Sequence, residues 1–175
     1  MKRTITVLVE NTFGAFDRVA TMFSGKGFNI HSISIGRTEI DEVSRMTIVT
    51  EGNDQILDQV TKQLNRLIDT IKVVDLSHIP KTLRELALIK INYEHDSIEE
   101  IKNLSDIFRG KVVDINNKSV TIEITGPPEK IEAAVNVLHP FGIVEMARSG
   151  TVALKRGEQL KEVKSKKSKG KKEKK

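Results

Sequence analysis

The 175 residues carry a formal net charge of +5, with 38% hydrophobic residues, only 4% aromatic residues, no Cys and no Trp. This length allows one ordinary domain or two small ones, and the missing cysteine excludes disulfides, thiolate metal sites and Cys nucleophiles. The charge is uneven: residues 161–175 hold nine Lys and two Glu, and removing their +7 leaves −2 for residues 1–160.

Residues 3–10 alternate, with Ile5, Val7 and Val9 on one side and Thr4, Thr6 and Leu8 on the other, as a strand with at least one buried face does. Asn11-Thr12-Phe13-Gly14 forms a turn. Phe16, Val19, Ala20 and Phe23 then mark one stripe of an amphipathic helix, which Gly25 and Gly27 end. Phe28–Arg37, with Ile30, Ile33 and Ile35, is a second strand, and Ser44–Glu51 a third, joined by a short polar link. Gly52-Asn53-Asp54 opens a helix buried along Leu57, Val60, Leu64, Leu67 and Ile68. Thr70–Leu76 is a fourth strand.

The βαββαβ order then repeats. Ser77–Leu83 lacks periodicity and reads as a linker. Arg84–Asn92 is a strand. Ile98, Ile101, Leu104 and Phe108 define a helix with Asp96 or Ser97 as N-cap, broken at Gly110. Lys111–Ile115 and Ser119–Thr125 are strands turning through Asn116-Asn117. Pro127-Pro128 suits the first turn of a helix, striped by Ile131, Ala134, Val135 and Leu138 and stopped by Pro140 and Gly142. Ile143–Ala147 is the last core strand, extended by Thr151–Leu154.

Two such units predict an α+β chain of two tandem ferredoxin-like domains, each a four-stranded antiparallel sheet with two helices on one face. The expected divisions are 1–77, a linker 78–83, 84–157, and a disordered Lys-rich tail 158–175. Right-handed crossovers give strand order 4-1-3-2. The second strand is then an edge, and its isoleucines make that edge apolar, a hazard unless a two-fold partner covers it. A homodimer through the N-terminal domains follows as an expectation.

Chemistry-bearing motifs are absent. No Walker loop, G-x-G-x-x-G or G-x-S-x-G occurs, and His31, His78, His95 and His139 lack ligand spacing. No catalytic residue and no metal ligand is predicted. No stretch approaches a membrane span, and Lys2-Arg3 precede an apolar run cut at Glu10 rather than an export signal, so a cytoplasmic protein is expected.

The loop Asn11-Thr12-Phe13-Gly14-Ala15 stands apart. A helix N-terminus favours an anion such as an amino-acid carboxylate, Gly14 permits close approach, and the Asn11 amide both donates and accepts. Simple helix capping by Asn11 or Thr12 is the alternative from physics alone. Asn29 is either a strand-entry residue or a polar group at the dimer edge, where pairing brings it near the loop of the other subunit.

The N-terminal unit resembles the ACT domain, an amino-acid-binding βαββαβ module. The strings SRMTIVTEG (44–52), KQLNRLIDTIKVVDL (62–76), ELALIKI (85–91), DIFRGKVVDI (106–115) and EMARSGTVALKRG (145–157) resemble the acetohydroxyacid synthase (acetolactate synthase) small-subunit family. That resemblance implies a non-catalytic regulatory subunit. Its partner would be a catalytic large subunit, where thiamine diphosphate, Mg and FAD are expected, with no cofactor in this chain. It implies feedback control by valine or a related branched-chain amino acid. The effector would be held by Asn11, Gly14 and the adjacent backbone of Phe13 and Ala15, with Asn29 from the other subunit. Phe13 and Phe16 are bulkier than usual for the family, and His31 stands where an acidic residue is frequent. The rival expectation is a stand-alone ACT sensor acting on another partner, or on nucleic acid through the basic tail. The acidic body and the missing helix-turn-helix disfavour nucleic acid.

Overall fold

A computed structural model describes residues 2–93 and 97–157 of the chain. The chain divides into two compact units: residues up to Thr82 with the described residues from Ala153, and Leu83–Val152.

The first unit runs β1 (Lys2–Glu10), α1 (Ala15–Gly25), β2 (Asn29–Arg37), β3 (Val43–Glu51), α2 (Asp54–Arg66) and β4 (Thr70–Asp75). Its strands lie in the order β2-β3-β1-β4, all antiparallel, as expected from the crossovers. The alternation in β1 aims Ile5, Val7 and Val9 at Val19 and Phe23 of α1 and Val60 and Leu64 of α2, in one core with Met46 and Ile48 of β3. Phe28 meets Phe23 edge-to-face, ring centroids 6.1 Å apart. Asn53 caps α2, its side chain accepting from the Ile56 N–H at 2.9 Å. Gly27, at φ 67°, ends α1 in the left-handed conformation that a Cβ would disfavour. Arg3 is 8% exposed, and its guanidinium donates to Asp54 at 2.8 Å, Asp58 at 3.1 Å and Asp75 at 3.1 Å. A buried charge needs such partners, and these tie β1 to α2 and β4.

The second unit runs β5 (Lys81–Asn92), α3 (Ile98–Ile107), β6 (Lys111–Ile115), β7 (Ser119–Gly126), α4 (Pro128–Leu138), a 3₁₀ turn (His139–Phe141) and β8 (Ile143–Arg148). The order β6-β7-β5-β8 repeats that of the first sheet. Ala87, Ile89, Ile91, Val120, Ile122 and Ile124 form the strand side of its core, against Ile101, Ile131, Ala134 and Leu138. Arg148 Nε donates to Glu85 at 2.5 Å and its Nη1 to Glu132 at 3.3 Å.

Three expectations are corrected. Residues 81–83, read as linker, belong to β5, because β9 (Val152–Lys155) pairs with that strand. The final segment is therefore a separate strand after a turn at Gly150 rather than an extension of β8. Ile68, placed on the buried stripe of α2, is 76% exposed, because the helix ends at Arg66 and Leu67 is already extended. The Asp96 cap and the Lys-rich tail lie outside the described residues.

Candidate functional site

β1 delivers the chain at Glu10 to the loop that precedes α1, and two turns from distant sequence hold that loop. On one side, the Asn11 N–H donates to the Glu42 carbonyl at 2.7 Å, and Asn11 Nδ2 donates to the Asp41 carbonyl at 3.1 Å. On the other, the Glu10 N–H donates to the Asp69 carbonyl at 2.9 Å. The Asp69 carboxylate accepts from Thr12 Oγ1 at 3.4 Å and pairs with Arg18 Nε, while Arg18 Nη2 donates to the Phe13 carbonyl at 3.3 Å. The Arg18 guanidinium beside it holds the Asp69 carboxyl below its ordinary value of 3.8.

Gly14 occupies the N-cap position of α1 at φ 79° and makes no side-chain cap. A Cβ there would lie 3.1 Å from Arg18 Nη1. Neither Asn11 nor Thr12 caps the helix, so the capping reading does not describe this loop. The N–H groups of Phe16 and Asp17 reach no backbone acceptor among the described residues, which leaves the positive end of α1 open. Phe13, Gly14, Asp17, Arg18, Thr21, Met22 and Leu67 line an open groove of about 520 Å³ beside it.

Asn11, Phe13, Gly14 and Ala15 thus stand together on one loop. Their side chains differ: Phe13 is fully exposed, whereas Ala15 is 5% exposed and packs in the core, so Ala15 offers only backbone. Asn29 is elsewhere. It pairs with Glu51, which pairs with Lys2, at the far end of the sheet. With a strand rise of ~3.3 Å per residue, that end is about 26 Å from Glu10, so one chain does not bring Asn29 to the loop. The Asn29 carbonyl accepts from Thr50 Oγ1 at 2.5 Å. His31 beside it sits in a bulge of β2, and its Nε2 lies 2.6 Å from Glu51 Oε2, an interaction that lowers the Glu51 carboxyl. Arg18, Asp41, Glu42 and Asp69 carry no recognisable motif. Arg18 lies one helical turn after Gly14, a weak signal, and Asp69 joins it only through the fold.

Among the described residues no group of three or more His, Cys, Asp or Glu is placed to hold a metal, and no helix is long and apolar enough to cross a membrane. Residues 5–72 match the family described as "AHAS small subunit-like ACT domain", and residues 84–157 that described as "Small subunit of acetolactate synthase". The acetolactate synthase small subunit of Aquifex aeolicus is 49% identical over 92% of this chain and 84% of its own length.

The chain belongs to the acetolactate synthase small-subunit family.

Within this small-subunit family, a probable member from Archaeoglobus fulgidus is 47% identical, covering 90% of this chain and 98% of its own. The crystal structure of the Thermotoga maritima small subunit superposes with a TM-score of 0.83 at 37% identity, over 91% of this chain and 99% of that one. The fold is therefore that of tandem ferredoxin-like domains, as the repeated order implied. Small-subunit membership implies association with a catalytic large subunit.

Proposed function

We propose that this chain is the non-catalytic regulatory subunit of acetolactate synthase. It binds the large subunit, raises its activity, and makes it sensitive to valine or a related branched-chain amino acid. Thiamine diphosphate, Mg and FAD belong to that large subunit, a cytoplasmic transferase. The observation that carries the reading is the anchored Asn11–Gly14 loop at the open N-terminus of α1. There, free N–H groups suit a carboxylate, and the apolar side chains of the groove suit an aliphatic tail.

Completion of the site requires a second copy. β2 is an edge strand, and Arg37 at its end pairs with Ser44 beside the Glu10–Val43 pair, so that end of the sheet carries the loop. An antiparallel β2–β2 pairing about a two-fold sets the partner's Asn29 at this same end. The effector then lies between protomers, its polar ends on Asn11, the backbone of Phe13 to Ala15, and the partner's Asn29. Binding there favours one dimer geometry over another, and inhibition follows from the differential affinity of the two states.

Calorimetry on the full chain tests this reading. Valine, leucine or isoleucine should bind, Asn11→Ala and Asn29→Ala should each weaken binding, and Gly14→Asp should abolish it. Reconstitution with the large subunit should show the same order in sensitivity to inhibition. Normal inhibition by all three variants would sink the site; failure of the chain to raise large-subunit activity would sink the regulatory reading.

A further inference from the structure

Asn29 sits at the first residue of β2, and the ladder that should hold it there is broken. The register of β2 against β3 passes from Ile30–Thr50 to Ser32–Val49 and skips His31. His31 is thus the extra residue of a bulge, where pairing is locally disrupted. Asn29 and Ile30 lie beyond that break, and the Asn29–Glu51 pair ends the ladder. Strand ends of this kind fray unless something ties them.

Two side-chain contacts do so. Thr50 Oγ1 donates to the Asn29 carbonyl at 2.5 Å, and Thr50 is fully buried. His31 Nε2 lies 2.6 Å from Glu51 Oε2. These two side chains are 32% and 48% exposed, so solvent protons reach this second contact and not the first.

The strength of the second contact depends on pH in one direction. His31 holds the Glu51 carboxyl below its ordinary value of 4.5, with further attraction from Lys2 and the amino terminus. Glu51 is therefore a carboxylate near neutral pH. An imidazole changes charge between about pH 5 and 8. Its cation makes a charge-assisted bond to a carboxylate, and its neutral form an ordinary one. The tie is therefore strongest at the acidic end of that window and weakens as pH rises through it. The residues on either side of the bulge, Ile30 and Ser32, and their partners Thr50 and Val49 carry no charge.

On the reading that Asn29 completes the partner's effector site, we propose that His31 is a positioning residue for that site: paired with Glu51, it latches Asn29 in the conformation that binds, and effector affinity falls as the pH rises from 6 to 8. A fraying strand start lowers apparent affinity by the fraction of chains in which Asn29 is out of place.

Calorimetry of valine on the full chain at pH 6 and pH 8 tests it. Wild type should bind about two- to threefold more tightly at pH 6, the scale of a part-exposed ion pair. His31→Gln and Glu51→Gln should each bind at the weaker level at both pH values. His31→Arg keeps its cation at pH 8 and should bind at the stronger level at both. Equal wild-type affinity at the two pH values overturns the proposal. So does a pH dependence that survives in His31→Gln, which belongs to the amino terminus instead. Amide exchange, corrected for its intrinsic pH dependence, reads the latch without effector. Residues 29–32 should be better protected at pH 6 in wild type and equally protected at both pH values in His31→Gln; equal protection in wild type overturns the latch. Absence of valine binding by wild type at either pH sinks the effector reading, and exchange then still decides the latch.

Discussion

The two units repeat one plan down to its irregularities, yet expose different chemistry. In the first, register shifts fall between Leu8 and Val9 where β1 meets β4, and at His31 in the edge strand. In the second they fall between Lys90 and Ile91 where β5 meets β8, and at Val113 in the edge strand. What differs is the edge and the strand-to-helix loop. The edge of the first unit mixes serines, His31, the half-buried Ile30 and Ile33 and the exposed Ile35, and its loop is held by Asp41, Glu42 and Asp69. The edge of the second unit is uniformly exposed. The repeated features are those that pack a core, and the unrepeated ones are where binding is to be sought.

Core truncation in each unit is the strongest way to probe that comparison. Ile48→Ala and Ile122→Ala, both fully buried, should each cost about 2–5 kcal/mol. Amide exchange should show the loss confined to the mutated unit. A uniform loss of protection across the chain would mean that the units unfold as one.

Gly14→Ala comes next, at about 1–2 kcal/mol, because a Cβ at positive φ is strained. Denaturant unfolding should detect it, and binding of valine should fall with it. Asn53→Ala removes the cap of α2 and should cost about 1 kcal/mol without touching ligand affinity. Together the pair separates a conformational requirement of the loop from ordinary helix capping.

Asp69→Asn should have a smaller, pH-dependent effect. The folded carboxyl lies below its ordinary value of 3.8, held there by Arg18. Its stabilisation is therefore complete above that value and is lost as pH falls through the lowered folded value. Wild-type stability measured from about pH 6 down to pH 2 should drop more steeply than that of the variant. Phe13→Ala should leave stability within about 0.5 kcal/mol, since the ring packs on nothing, and any change in valine affinity would then report contact with ligand.

Much of this molecule was legible before its coordinates. The alternation of Ile5, Val7 and Val9, and of Val120, Ile122 and Ile124, can be buried only from one face of a strand. The helical stripes through Val19 and Phe23, and through Ile131, Ala134 and Leu138, supply the opposing layer. Strand order followed from the handedness of crossovers. The loop from Asn11 to Ala15 also stood out, because it joins a strand to a helix N-terminus and Gly14 there permits close approach to the backbone.

What escaped was non-local. Ile68 continued the apolar period of α2, but the helix had already ended, and period alone carries no stop signal. Nothing in Thr151–Leu154 names β5 as the partner of β9, so by sequence alone the segment continues β8. The sequence by itself determined the two cores and the alternation of elements, since those depend on side-chain periodicity along a local stretch. Only the tertiary structure decided that Asp69 locks the loop through Arg18, that Ala15 turns inward, and that Asn29 lies a sheet's length from Asn11. Those facts depend on which distant turns meet, and a hydrogen bond between residues 51 positions apart leaves no periodic trace in either segment.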